Sequence, residues 1–415
     1  MGSGLVGCQL GQLVRRQLYI RQNPRNKEQT ELRILFIAMA NSIHTARWVS
    51  QLKGQGWDIH VFDARESGLT PEFTKVHCVA RFPMLVGFMR HRFPALSRLV
   101  FPSRVETLTK LIRILKPDII HSLEMQNESY PLLEVRRKLG GKLPAPWIYS
   151  CWGNDLYWFG RQAEHESRIR EVLGACDYYI ADCQRDVALA RSFGLKGEVL
   201  GVFPGGGGYE ISRMRQWIQS GPVSARRTIA LKGYSSWVGR ALVALRALRL
   251  CADVLQGYTV KVYSAQVQTV RLAEDVSRET GIRFEMLEHG PHETIIKLMG
   301  SSRLGISVSV SDGTPNSMLE AMVMGAFPIQ SDTISTAEWI SHGENGLLVP
   351  PEDPEPIAAA IRRAVTEDVL VDRAAELNAK VARERLDQDV IQPQVIAMYE
   401  KIAAQSKKKK GPANL

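Results

Sequence analysis

The chain has 415 residues and a formal net charge of +10, with 45% hydrophobic and 23% charged residues. That is ordinary globular composition over enough length for two or three domains of ~100–200 residues, which excludes a disordered or fibrous chain. No stretch approaches the ~18 apolar residues of a membrane-spanning helix, and six cysteines without CxxC spacing or a regular framework exclude a disulfide scaffold and a structural zinc site.

Residues 1–30 form a basic extension with five basic side chains and one acidic one. Arg15 and Arg16 interrupt its mildly apolar part and no small-residue cleavage site follows, so no signal peptide is expected; Val6 stands where myristoylation wants Ser or Thr. A first βα series then begins with a buried-strand pattern from Arg33 to Met39, a helix from Ala46 to Gln55 and a second strand from Asp58 to Asp63. Residues 81–116 hold eight basic side chains and one acidic one, interleaved with Phe82, Phe88, Phe93 and Phe101. Such a mixture suits a helix lying in an anionic lipid interface and equally a core-packed segment with a solvated basic face. Nucleic acid is not an expected partner, because no recognition motif accompanies the charge. Further strands are expected at 118–121, 147–150, 178–181 and 199–202, and strands alternating with helical patterns imply a parallel sheet with helices on both faces.

Four glycines, Gly205 to Gly208, lack phosphate-loop spacing and read as a flexible hinge opening a linker over 206–227. A second βα series has strands at 228–231, 258–263, 283–287, 305–310 and 327–329. Lys232 falls directly after the first of these, at the carboxyl end where such sheets bind ligands, and Arg240 opens the next helical run. Asp387-Gln-Asp389 is formally a DxD metal dipeptide, but it stands at a helix start with no apolar strand before it and reads as a cap. No other carboxylate or histidine cluster has metal-site spacing, so no metal is expected. The run Lys407 to Lys410 belongs to an expected disordered tail over 406–415.

The most informative stretch runs from Leu304 to Ser331. A β-branched run feeds a polar loop, Thr314 can cap a helix, Pro315 suits its first position, and Leu319 to Met324 continue helically. Asp312 and Glu320 thereby stand eight positions apart on either side of a helix N-terminus. Free N–H groups and the dipole make such a terminus an anion site, which leaves one carboxylate for hydroxyl groups on each side of a diphosphate. A nucleotide-sugar has that layout.

This stretch resembles the donor-binding segment of the retaining GT-B glycosyltransferases of family 4, whose signature is an acidic residue, seven residues, then Glu. Gly313 to Asn316, Leu319 to Met322, Gly325, Pro328 and Asn345-Gly346 also fall in the family's order. Asp312 replaces the usual first Glu, one methylene shorter, which bears on sugar selectivity. The resemblance implies an α/β chain of GT-B fold, with two Rossmann-like domains facing a cleft. Residues 31–205 would be the acceptor domain, 228–386 the nucleotide-sugar donor domain, and 387–405 a helix crossing back to brace the first.

The resemblance also implies roles. Glu320 would bind ribose hydroxyls, Asp312 with Gly313, Thr314, Pro315, Asn316 and Ser317 would orient the transferred sugar and phosphates, and Lys232 and Arg240 would lie on the diphosphate. The spacing from Lys232 to Arg240 departs from the family's. His289 and His292 fall in the loop under the nucleotide base, where either can equally cap the loop. Acceptor-side candidates are His44, His121 and Asp155, each after a strand, although a lone His44 or His121 can equally be a satisfied buried residue. Leu123 stands where the family has the second His of His-x-His, and Trp152 replaces the His of His-Gly-x-Asp, so no acceptor-side base is assigned. Retaining enzymes of this fold let the departing phosphate take the proton.

The expected protein is thus a metal-independent hexosyltransferase with no cofactor beyond its nucleotide-sugar co-substrate. Its partners would be that donor, a glycan or lipid-linked saccharide acceptor of bacterial surface-polysaccharide assembly, and an anionic membrane surface. Its place would be the cytoplasm, peripheral on the inner face of the membrane. A sugar-nucleotide epimerase, a phosphorylase, or a catalytically reduced scaffold binding glycan or membrane stays open on the same fold.

Overall fold

The computed structural model describes residues 32–65, Thr70, Phe73, 77–79, 92–93 and 103–410. The basic extension, most of the 81–116 segment and residues 411–415 lie outside them. Two parallel sheets form the frame. The first holds β1 (Arg33–Ala38), β2 (Asp58–Asp63), β3 (His77–Val79), β4 (Ile119–Leu123), β5 (Trp147–Ser150), β6 (Tyr178–Ala181) and β7 (Glu198–Val202), in the order β3-β2-β1-β4-β5-β6-β7. The second holds β8 (Thr228–Lys232), β9 (Thr259–Tyr263), β10 (Arg283–Met286), β11 (Leu304–Ser307), β12 (Phe327–Ser331) and β13 (Leu347–Val349), in the order β10-β9-β8-β11-β12-β13. Helices cover both faces, so central strands are apolar on both sides; Ile34 to Ala38 of β1 are fully buried. Strand order reverses between β1 and β4 in one sheet and between β8 and β11 in the other, and α/β sheets bind ligands at the carboxyl ends of strands flanking such a reversal.

The expected strands all occur, most within one or two residues of their predicted limits, β11 stopping three residues sooner; β3 and β13 were not expected. Four expectations need correction. The first helix is Ile43–Ser50 rather than Ala46 to Gln55, because Ser42 caps it earlier than its apolar pattern suggested. The helix after β11 is Asn316–Met324, with Pro315 at its cap position; Thr314 does not cap it, because its hydroxyl is committed to the carbonyl of Asp182 at 2.7 Å. The four glycines are not a loose hinge. All have positive φ, and a Cβ on Gly207 would lie 2.2 Å from the Gln51 amide, so only glycine permits this packed left-handed turn. The last helix, Gln388–Lys410, is helical through residues assigned to the disordered tail. Asp387 caps it, accepting the Asp389 N–H at 3.2 Å, as the capping reading of that dipeptide expected.

That helix packs against the first domain. Its Ile391, Val395, Met398, Tyr399 and Ile402 join one core cluster with β1, β2, β4 and β6. The Tyr399 hydroxyl accepts from Trp48 Nε1 at 3.0 Å and shares a hydrogen bond with His121 Nδ1 at 2.7 Å, while His121 Nε2 shares another with Ser150 Oγ at 2.7 Å. Burial pushes the His121 pKa down to about 3, so the ring is neutral. In Tyr399→Phe both neighbours lose a buried partner, and thermal or urea unfolding should report a loss of about 1–3 kcal/mol. Between the unfolded pKa of about 6.5 and the folded value of about 3 the unfolded chain binds more protons, so acidification through this window should destabilise the parent. His121→Phe should flatten that part of the pH profile.

Candidate active site

The site is built from strand ends of both domains. After β1, Ser42 caps the Ile43–Ser50 helix by accepting the His44 N–H, which sets His44 and Arg47 one turn apart. The Arg47 guanidinium donates to the Gly205 carbonyl at 2.5 Å and to Asn316 Oδ1 at 3.2 Å, and it lies 3.9 Å from Glu320 Oε1. It also sits 4.3 Å above the Tyr209 ring, whose hydroxyl donates to Asn316 Oδ1 at 2.9 Å.

Glu320 lies on the Asn316–Met324 helix, one turn beyond Asn316, and is 4% exposed. His292, the first residue of the His292–Ser301 helix, meets Glu320 Oε1 through Nε2 at 2.8 Å. Burial would raise the carboxyl pKa, but the charge and hydrogen bond of His292, then Arg47, outweigh it and leave the pKa below its ordinary value. Glu320 is therefore an ionised acceptor at neutral pH. His44 has the opposite balance: burial, then the neighbouring Arg47 charge, push it down to about 3, and its Nδ1 is buried without a partner.

Lys232 ends β8 at the reversal of the second sheet, and Asp312 follows β11. Both line a cavity of about 200 Å³ with Tyr234, Trp237 and Ser309 of the same domain and Asn154 of the other. Ser311 Oγ donates to Asn154 Oδ1 at 2.5 Å, and the ring of Trp237 contacts Trp158 at a centroid distance of 5.5 Å, so the two domains meet over this cavity. The fold thus brings Asp312, Glu320, Lys232, His44 and the Gly313 to Ser317 segment to one interdomain cleft; Ser317 itself donates inward to Ser307 Oγ at 3.0 Å.

Other expected residues fall elsewhere. Arg240 stands just before the Ala241–Leu250 helix, pairing with Glu352 at 3.2 Å and donating to the Gly239 carbonyl at 3.1 Å. His289 is exposed; its neighbour His292 is the histidine that reaches Glu320. His121 has both ring nitrogens committed inside the core. Asp155 is 1% exposed, accepts from the Tyr149 hydroxyl at 2.9 Å and the Trp152 N–H at 3.1 Å, and has its pKa pushed well up by burial. In this conformation it holds a loop. Arg47, Tyr209 and Asp182 were missed. Among the described residues one trio, Asp182, Cys183 and Asp186, has ligand-type atoms within 4.8 Å of one another. Asp186 pairs with Arg185 at 2.8 Å and Asp182 accepts the Thr314 N–H, which accounts for the grouping without an ion.

Residues 33–178 match the family described as "Glycosyl transferase 4-like", and residues 243–367 match "Glycosyl transferases group 1". The chain belongs to the group 1 glycosyltransferases of GT-B fold. Solved structures similar to this glycosyltransferase include HepE of Anabaena in complex with UDP and glucose, at 16% identity and a TM-score of 0.63 over 89% of this chain and 100% of that one. Sucrose-phosphate synthase of Thermosynechococcus elongatus is similar at 15% identity and a TM-score of 0.64, over 90% and 100%. A curated relative, an exopolysaccharide phosphotransferase of Streptomyces coelicolor, is 28% identical over 185 residues, 38% of this chain. The glycosyltransferase covers 19% of that relative's length.

Proposed function

We propose that this glycosyltransferase is a retaining enzyme that moves a hexose-type sugar from a uridine-diphosphate donor to a glycan or lipid-linked saccharide. The observation that carries the reading is the meeting of Lys232, Asp312 and the ionised Glu320 around the start of the Asn316–Met324 helix. The diphosphate would lie at that N-terminus with Lys232 beside it, Glu320 on the ribose hydroxyls and Asp312 on the sugar. The C1–O bond to phosphate breaks as the acceptor oxygen bonds to C1 on the same face, and the acceptor's proton passes to the departing phosphate oxygen. His44, kept neutral beside this centre, offers a nitrogen to an acceptor or sugar hydroxyl.

Two similarities support the donor and pathway class. HepE is described in complex with UDP-glucose, and the curated relative's name refers to exopolysaccharide. Purified protein is to be screened against UDP-, GDP- and ADP-sugars with detection of nucleoside diphosphate; release only from a GDP- or ADP-sugar would overturn the uridine assignment, and release from none would overturn the transferase reading. Retention is read from the anomeric configuration of the product.

Among the described residues no helix is long and apolar enough to cross a membrane. Contact with a cytoplasmic membrane face rests instead on the 81–116 charge pattern. If Arg90, Arg92, Arg98 and Arg104 face anionic lipid, each contributes ~1 kcal/mol, screened by salt. Changing all four to Ser should abolish co-sedimentation with phosphatidylglycerol vesicles at low salt while donor turnover persists. A parent protein that ignores such vesicles overturns the membrane reading.

A further inference from the structure

The donor loop is held from the opposite domain. Asp182 follows β6 of the first domain, yet its Oδ2 accepts the Thr314 N–H at 3.1 Å and its carbonyl accepts the Thr314 hydroxyl at 2.7 Å. The fit is close: a Cβ on Gly313 would lie 2.4 Å from Asp182 Oδ2. The other Asp182 oxygen is buried with no partner. Around this contact the seam continues. Glu338, in the loop after β12, accepts the N–H groups of Gln184 at 2.9 Å and Arg185 at 3.0 Å, so a carboxylate of the second domain caps the first turn of the Gln184–Ser192 helix in the first. Arg185 donates back to the Thr333 carbonyl at 2.9 Å, and Ser335 Oγ donates to the Gly313 carbonyl at 2.6 Å. Residues 313 and 314, immediately after the sugar-side carboxylate, are thus fixed by one atom set in each domain.

We propose that Asp182 is a positioning residue for transfer: from the acceptor domain it sets the Asp312 to Pro315 loop in its productive shape, and does so only while the two domains are closed on each other. This rests on the reading of that loop as the sugar and phosphate cradle. Binding of nucleotide to the donor domain would not itself complete the site; closure onto the Asp182 side would, which couples arrival of both domains to the aim of Asp312. Transfer without closure, including idle hydrolysis of the donor, is thereby suppressed. Burial, then Asp186 and Asp312, push the Asp182 carboxyl up to about 8, so near neutral pH it behaves as an uncharged carboxyl group that an asparagine imitates.

The test uses the full chain as parent, Asp182→Ala and Asp182→Asn, with three measurements: UDP affinity by calorimetry, UDP release from UDP-glucose, and hydrogen exchange of the peptide spanning 310–318. For Asp182→Ala, exchange at the Thr314 amide should speed up at least tenfold and turnover should fall at least tenfold, with UDP affinity within about threefold of the parent. Asp182→Asn, which keeps an acceptor for the Thr314 N–H, should restore slow exchange and most of the turnover. Parent-like exchange in Asp182→Ala, an Asn variant as impaired as Ala, or UDP affinity falling in step with turnover would each overturn the positioning role. If Asp182→Ala unfolds, Thr314→Val removes the second bond of the pair and should give the same split between turnover and UDP affinity; a parent-like profile there is equally fatal. A parent that neither binds UDP nor turns over UDP-glucose overturns the donor reading, and the exchange data then still decide whether Asp182 holds the loop.

Discussion

Replacing Glu320 by Gln should weaken nucleotide binding by roughly ten- to a hundredfold, as expected for a charge-assisted hydrogen bond worth ~1.5–3 kcal/mol. Three features put this effect near the upper end. The carboxylate is almost fully buried, so water does not replace a lost partner. It pairs with His292 at 2.8 Å and is the counter-ion of Arg47 at 3.9 Å, and a neutral amide leaves the guanidinium with less compensation. Arg47 also grips Asn316 and the Gly205 carbonyl, so its displacement would disturb the start of the Asn316–Met324 helix, where the proposal places the diphosphate. Calorimetry with UDP reads the affinity directly. A variant that binds UDP as the parent does would remove Glu320 from the ribose site. Asp312→Ala gives the contrasting result, a fall in turnover with affinity largely kept, because Asp312 stands on the other side of the helix start.

Lys232→Ala should depress turnover by roughly 10²–10³, the scale found when one fixed donor to developing charge is removed from a catalytic site. Negative charge on the leaving diphosphate grows as the glycosidic bond breaks, so the ammonium group stabilises the transition state more than bound donor, and affinity should change far less. The position suits this role, since Lys232 ends the central β8 and shares a cavity with Asp312. Parent activity should be equal with and without a chelator. Turnover restored only by manganese would overturn the electrostatic scheme and direct attention to Asp182 and Asp186.

Both predictions depend on residues whose local sequence marked them. Asp312 and Glu320 were legible because a β-branched strand, a Gly-Thr-Pro turn and a helix follow one another within a few residues, so spacing alone fixes their relation to the helix start. β5 and β6 were placed to the residue for a similar reason, each being a short, largely apolar run that a buried parallel strand requires, and β2 by the apolar Ile59, Val61 and Phe62 between its terminal aspartates. Residues recruited over long range carried no such mark. Arg47 is an ordinary basic position on an amphipathic helix until Asn316, 269 residues away, is placed beside it. Choosing between His289 and His292 required knowing that a helix starts at 292 and runs beside Glu320. The glycine run misled because glycine serves both loose linkers and tight left-handed turns, and only the neighbours Gln51, His44 and Leu386 decide between them.

The chain passes between the domains twice, and the two passages are bonded to each other. Tyr209 N–H donates to the Leu386 carbonyl at 2.8 Å, and Gln388 N–H donates to the Tyr209 carbonyl at 2.9 Å. Beyond the second passage, Val395, Tyr399 and Ile402 complete the core of the opposite end of the sequence. The first domain is therefore discontinuous, and a fragment ending near residue 205 would expose the apolar faces that these side chains cover. Chimaeras that exchange the first domain between relatives must transplant residues 32–205 together with 388–410, with the paired crossing at 209 and 387 as the splice point.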